Sequence, residues 1–252
     1  ITDLKQIISP FPNAVVTIGN FDGVHIGHQA LFRQAIEKAG QVNGTAVVVT
    51  SYPHPTRVLK CDKHFPLITL YEQKVELIAA TGVDVLVCIP FTPQFAEIPA
   101  GQFVKDILFD KIGMRVVIVG PDYSFGKKRE GNIALLNEMG GYLGFEVITS
   151  DWVEEGPRRI SSTEIRNLVM AGAVEAAATL LGRYYQIRGT VRKGRDRGGK
   201  VLGYPTANLS LDDELCPKPG VYAVTVDSGG KQYLGVATCG DNTTFGNGKL
   251  KL

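Results

Sequence analysis

A doubly wound, Rossmann-like α/β sheet, followed by a small antiparallel β-barrel, is the architecture written into the order of residues. The first sign is alternation. Short β-branched runs at residues 14–18, 45–50, 83–89 and 116–119 alternate with stretches of helical periodicity, which together build a parallel sheet with right-handed crossovers. The second sign is the junction AVVTIGNFDGVHIGHQAL at residues 14–31. There an apolar run breaks at Gly19, passes through Asn20, Phe21, Asp22 and Gly23, and re-emerges as a helix behind His25 and His28. The third is a change of texture near Gly182, after which alternating strand patterns separated by Gly, Pro, Asp and Lys replace the helices.

Each element has its own local reason. Residues 31–39 continue an amphipathic helix that Gly40, Asn43 and Gly44 end. Residues 45–50 carry no polar alternation and read as a strand buried on both faces. The prolines of Ser51-Tyr52-Pro53-His54-Pro55 then stiffen a loop at the carboxyl end of that strand, where α/β sheets place their ligands. A helix over 70–80 feeds a strand over 83–89, a helix over 100–109 feeds a strand over 116–119, and further helices span 133–143 and the stretch ending at Met170. After residue 182, strands are expected at 186–191, 220–226 and 233–238.

The chain has 252 residues, ample for two domains, and the boundary is placed at 1–182 and 183–252. Charged residues at 21% and hydrophobic ones at 44% exclude a disordered chain. The net charge of +2 points to no polyanion, so neither a nucleic-acid nor a membrane partner is expected, while a nucleotide needs only local charge. Cys61, Cys88, Cys216 and Cys239 form no CxxC pair, which argues against a zinc ribbon and fits a reducing cytoplasm. Oligomeric state is not fixed by the sequence.

The junction after the first strand aims backbone amides and the positive end of a helix dipole at one spot, a ready phosphate site. His25 and His28 add side chains of the right reach, and Gly27 between them leaves bare backbone for a nucleotide. Two histidines without a third ligand make an incomplete zinc site. Farther on, Gly120-Pro121-Asp122-Tyr123-Ser124-Phe125-Gly126-Lys127-Lys128-Arg129 is either a phosphate-facing loop or a solvated one. Ser161, Ser162 and Thr163 stand at a helix start where hydroxyls commonly cap, flanked by Arg158, Arg159 and Arg166 as a second anion site.

HxGH in this position resembles the first motif of the nucleotidylyltransferases that act on the alpha phosphate of ATP. The longer GNFDGVHIGH, with GPDYSFG and ISSTEIR in matching order, is similar to the bacterial bifunctional riboflavin kinase/FMN adenylyltransferases, the FAD synthetase family. The resemblance implies His25, His28 and Arg166 as catalytic residues of adenylyl transfer. It implies that Gly19, Asn20, Phe21, Asp22, Gly27, Asp122, Ser161, Ser162 and Thr163 bind ATP. Pro53 and His54 would shape the FMN side. The His25–His28 helix and the serine-rich turn are then expected to hold one triphosphate between them. Asn20 and Ser51 depart from the pattern, where a small apolar and an aromatic residue are expected.

A second segment carries chemistry of its own. Gly194 to Lys200 matches the GxxxxGK spacing, but Val201 stands where a P-loop needs Ser or Thr, and Gly203-Tyr204-Pro205 denies the following helix. The string through Thr206 and Asn208 instead resembles the GRxLGxPTAN signature of riboflavin kinases. That likeness implies that Gly194, Lys200, Gly203, Tyr204, Pro205, Thr206 and Asn208 bind ATP, with Thr206 and Asn208 on Mg2+. Lys200 stands where arginine is common, keeping the charge without the planar fork. In related kinases a glutamate on a strand beyond the segment resembling Gly240-Asp241-Asn242-Thr243-Thr244-Phe245 takes the proton from riboflavin. The chain reaches Leu252 before such a strand, so the expectation is a kinase barrel whose C-terminal part is absent. Asp212, Asp213, Glu214 and Asp227 have no motif behind them. Riboflavin, FMN, FAD and MgATP are the implied substrates and products. Adenylylation of another phosphate acceptor, or non-catalytic flavin sensing, are the competing readings.

Overall fold

The computed structural model describes residues 1–62, 65–155, 158–192, 207–210 and 215–240. They fall into two compact units. The first joins Ile1–Phe65 to Thr69–Ser161, and the second joins Pro66–Ile68 to the described residues from Ser162 onward.

The first unit is built on β1 (Ala14–Ile18), followed by α1 (Ile26–Gln41), β2 (Ala46–Tyr52), α2 (Pro55–Leu59), α3 (Tyr71–Ala79) and β3 (Val85–Pro90). The short α4 (Pro93–Ala96) and α5 (Ala100–Gln102) lead into a helical segment with wider, π-type turns over Phe103–Ile112. Then come β4 (Met114–Val119), α6 (Ile133–Leu143), β5 (Glu146–Thr149) and the two-residue strands β6 (Glu154–Glu155) and β7 (Arg158–Arg159). Strands β1 to β5 form one five-stranded sheet in the order β3-β2-β1-β4-β5, every pair parallel.

All five residues of β1 are buried, which explains the unbroken apolar run: both faces of a central parallel strand are covered. Successive side chains point to opposite faces. Val16 and Ile18 join a core with Val47, Val117, Val104, Leu108 and Leu136. Val15 joins the other face with Ala35, Ala39, Val116 and Ile118. The chain runs outward from β1 through β2 to β3, then returns to lay β4 beside β1. That reversal makes the β1/β4 boundary the topological switch point, and ligands of such sheets bind at the carboxyl ends there.

In the second unit α7 (Ser162–Met170) and α8 (Val174–Leu181) bury Ile165, Val169, Ala177, Leu180 and Leu181. Residues 66–68 are tied in by Arg166 Nε, which donates to the Pro66 carbonyl at 3.0 Å, and by the Leu215 amide, which donates to the Leu67 carbonyl at 3.1 Å. β8 (Thr190–Arg192) pairs antiparallel with β9 (Asn208–Ser210). β10 (Gly220–Ser228) and β11 (Lys231–Cys239) form a hairpin closed by Gly229-Gly230, both at positive φ, the residues that a tight two-residue turn needs. The antiparallel strands after the α/β unit are thus present. The strand expected over 186–191 is instead Thr190–Arg192, and the ones expected at 220–226 and 233–238 are halves of one hairpin.

Candidate active site

At the end of β1 the Gly19 amide donates to the Val49 carbonyl at 3.1 Å, and the chain then makes a compact loop. Phe21, Asp22, Val24 and His25 are all buried, the polar Asp22 and His25 no less than the apolar pair. Phe21 and Val24 adopt φ of 49° and 42°, a strained setting for a β-branched residue such as Val24 and one that gathers at functional loops. The Phe21 ring meets Phe32 and His28 edge-on, at 4.8 and 5.1 Å. Asp22 Oδ1 accepts from the Thr69 amide at 3.1 Å and from its hydroxyl at 3.4 Å, and the Gly23 amide donates to the Thr69 hydroxyl at 3.1 Å.

His25 is the N-cap of α1, its Nδ1 accepting from the His28 amide at 3.3 Å. The two imidazoles stack 3.5 Å apart. A methyl group on Gly27 would sit 3.2 Å from that capping Nδ1, so the spacer glycine lets the His25 ring fold back over its own helix end. His28 Nδ1 is sealed from solvent with no hydrogen-bond partner. Burial first, then the neighbouring His25 and Lys74, hold the His28 imidazole well below the usual histidine range, so it is neutral at physiological pH.

Across the switch point, the loop after β4 is packed from behind. The half-buried Tyr123 ring stacks on the buried Phe125 ring at 5.3 Å. Gly126, at φ 73°, passes so close to Ala100 that a Cβ would lie 2.6 Å from its Cα. Ser124 Oγ is a second sealed polar atom without a partner. Asp122 accepts from Arg159 Nη2 at 2.7 Å, and the Arg159 guanidinium lies 3.1 Å over the Trp152 ring. Lys127 forms an exposed ion pair with Glu97 at 2.8 Å.

The structure therefore gathers Gly19, Asn20, Phe21, Asp22, His25, Gly27 and His28 on one loop, with Asp122 on the loop at the end of the adjacent strand. Pro53 follows the end of β2 through a cis bond to Tyr52. His54 caps α2, Nδ1 accepting from the Thr56 amide at 3.2 Å, and stacks on Phe65 at 5.0 Å. Ser161 closes the first unit, while Ser162, Thr163 and Arg166 belong to the first turns of α7 in the second. Asn208 lies on β9 opposite Arg192. Gly194, Lys200, Gly203, Tyr204, Pro205 and Thr206 lie outside the described residues.

One residue went unread in the sequence. Lys74 of α3 is buried, and its Nζ lies 3.3 Å from the Asn20 carbonyl, 3.2 Å from Thr50 Oγ1 and 3.3 Å from the Ser51 carbonyl. The signal was a lysine on an apolar stripe, since Leu70, Lys74 and Ile78 share one helix face.

A doubly wound sheet with a histidine-bearing strand–loop–helix at its switch point defines a nucleotide-handling α/β domain. The profile of the family described as FAD synthetase matches residues 8–164, and that described as riboflavin kinase matches 181–252. The bifunctional riboflavin kinase/FMN adenylyltransferase of Buchnera aphidicola subsp. Schizaphis graminum is 37% identical over 251 residues, covering 99% of this chain and 79% of that protein. The protein of the same description from Listeria monocytogenes is 41% identical over 237 residues, 92% of this chain and 74% of its own. A crystal structure described as a macrolide-efflux protein from Streptococcus pneumoniae superposes with a TM-score of 0.87 at 33% identity, covering 100% of this chain and 82% of that one. Among the described residues here, no helix is long and apolar enough to cross a membrane. The chain belongs to the FAD synthetase family, in its bifunctional riboflavin kinase/FMN adenylyltransferase form.

Proposed function

We propose that the protein makes FAD from riboflavin in two steps: phosphorylation of riboflavin by MgATP through the C-terminal segment, then adenylyl transfer from MgATP to FMN at the β1/α1 loop. In the second step a phosphate oxygen of FMN attacks the alpha phosphorus of ATP. A new P–O bond forms as the bond to the pyrophosphate breaks. The nucleophile is already anionic near neutral pH, because a phosphomonoester has a second pKa of about 6, so no general base is required. The protein's share is in-line positioning and the placing of donors where charge develops. Magnesium arrives with the nucleotide and neutralises part of its charge.

His28 carries this reading: a neutral imidazole at the N-terminus of α1, with one sealed nitrogen lacking a protein partner. An orphaned buried polar atom is costly unless a ligand satisfies it. His25 and the backbone amides at the N-terminus of α1 would bind the phosphates beside it, with Gly19, Asn20, Phe21 and Gly27 supplying the close backbone surface. Asp22 serves by holding the loop through Thr69. Asp122, Ser161, Ser162, Thr163 and Arg166 are assigned to ATP, and Pro53 and His54 to FMN, on their motifs. On the same ground Gly194, Lys200, Gly203, Tyr204, Pro205, Thr206 and Asn208 are assigned to the kinase site, with Thr206 and Asn208 on its Mg2+. The cytoplasm is the proposed compartment, with no nucleic-acid or membrane partner.

Chromatography of the flavins after incubation with MgATP tests both steps. Riboflavin should give FMN and then FAD, and FMN alone should give FAD. FMN left unconverted would overturn the adenylyl-transfer reading.

A further inference from the structure

Both edges of the FMN-adenylylating site proposed above depend on α3, a helix that carries no motif. Just ahead of α3, Thr69 holds Asp22 and Gly23. One turn further, Lys74 reaches the Asn20 carbonyl in the same loop. As an ammonium, Lys74 has three N–H groups, and three oxygens meet them: Asn20 O after β1, and Thr50 Oγ1 and Ser51 O at the end of β2. The Thr50 hydroxyl in turn donates to the Asn20 carbonyl at 3.2 Å. Lys74 and Thr50 thus stitch together the ends of β1 and β2. One of those ends leads into His25 and His28, and the other into Pro53 and His54.

We infer that Lys74 is a positioning residue for adenylyl transfer, fixing the spacing between the ATP-side loop and the FMN-side loop by clamping Asn20 to Thr50 and Ser51. A buried ammonium is an expensive way to fill space, and an apolar side chain of the same length would pack there at less cost. What the cation adds is a rigid crosslink between two loops whose ligands must meet in line. Displacement of either by about 1 Å is enough to slow such a reaction by about a hundredfold.

The cation also acts on His28 through space. The charged and titratable groups around this cluster are His25 beside His28, Asp22 on the loop, Cys88 on β3 facing Lys74, and Tyr71 on α3 hydrogen-bonded to Cys88. Burial lowers the Lys74 pKa, with Cys88 and Asp22 acting in the opposite direction. Removing the Lys74 charge removes one of the two neighbours, Lys74 and His25, that add to burial in holding His28 neutral.

This inference rests on the FMN-adenylylation reading, so the wild-type protein is assayed first: no FAD from FMN sinks that reading before Lys74 is tested. Given a working wild type, Lys74→Met should lower kcat for FAD formation about a hundredfold. Its KM for ATP should change less, and riboflavin phosphorylation should stay at the wild-type rate. The His28 ring pKa, followed by NMR, should rise. Thr50→Val keeps the cation but removes one stitch, and should lower kcat about tenfold with the His28 titration unmoved. Wild-type kcat for FAD in Lys74→Met overturns the inference, as does an equal loss of both activities in that variant while it stays folded. Should Lys74→Met fail to fold, Thr50→Val decides, and an unchanged kcat there overturns it.

Discussion

The loops that follow β1 and β4 sit at the same edge of the same sheet, yet they are built in opposite ways. The first hides its functional groups: Asp22 and His25 are buried, His28 Nδ1 is sealed, and a buried lysine anchors the loop from the side. The second displays its charges, with Lys127 paired to Glu97 at the surface and Asp122 paired to Arg159. In sequence the second loop carries the more obvious charge, the basic triplet Lys127-Lys128-Arg129, and reads equally as a phosphate-facing or a solvated loop. Exposed cations find exposed carboxylates at little net gain. A polar atom withdrawn from water without a partner, as His28 Nδ1 is, is one that a ligand completes.

Breaking the buried loop should have the largest effect. His28→Ala is expected to lower kcat for FAD formation by about a hundred- to a thousandfold, the range for losing one preorganised donor. Riboflavin phosphorylation should be nearly unchanged, and both rates can be read from one flavin chromatogram. Next comes the backing of the exposed loop. Gly126→Ala meets the Ala100 backbone and forces a left-handed conformation on a residue with a Cβ. It should cost about 2–4 kcal/mol of stability by urea titration.

Acid sharpens the contrast. The folded-state pKa of His28 is depressed, so as pH falls through about 6.5 the unfolded chain takes up a proton that the native one refuses. Stability should therefore drop on acidification, at no more than about 1.4 kcal/mol per pH unit for this one group. His28→Ala should flatten that drop between pH 7.5 and 5.5, as a comparison of urea midpoints will show. Smallest is the surface pair: Asp122→Asn should lose about 0.5 kcal/mol or less, fading at high salt, while raising KM for ATP if Asp122 binds the nucleotide.

Much of the sheet was readable because central parallel strands are apolar without interruption. Ala14–Ile18 and Ile133–Leu143 match the expected bounds, and Met114–Val119 extends its expected strand by two residues. The edge formed by β5 was not readable, whereas β3 at the other edge was. β5 is short and largely uncovered, so Glu146–Thr149 offers neither a continuous apolar run nor a clean alternation. The helix expected over 100–109 exists, but its turns widen from Phe103 to Ile112, a change of hydrogen-bond spacing that residue periodicity does not announce. Within the site, the histidines and glycines were legible because their spacing has a mechanical reason. Lys74 was not, because a charged residue in an amphipathic helix is assigned to the solvated face by default. Its partners are loop and strand-end oxygens that only the fold brings together.

Val15 meets Ala46 on one side and Val116 on the other. Synthesis proceeds from the N-terminus, so β1 and β2 leave the ribosome well before β4 does. Until then β1 is an open, apolar edge, the kind of surface that chaperones hold and that aggregates when they do not. A nascent chain arrested before Met114 should therefore stay chaperone-bound and protease-sensitive around residues 14–18, and release should come once Val119 has cleared the exit tunnel.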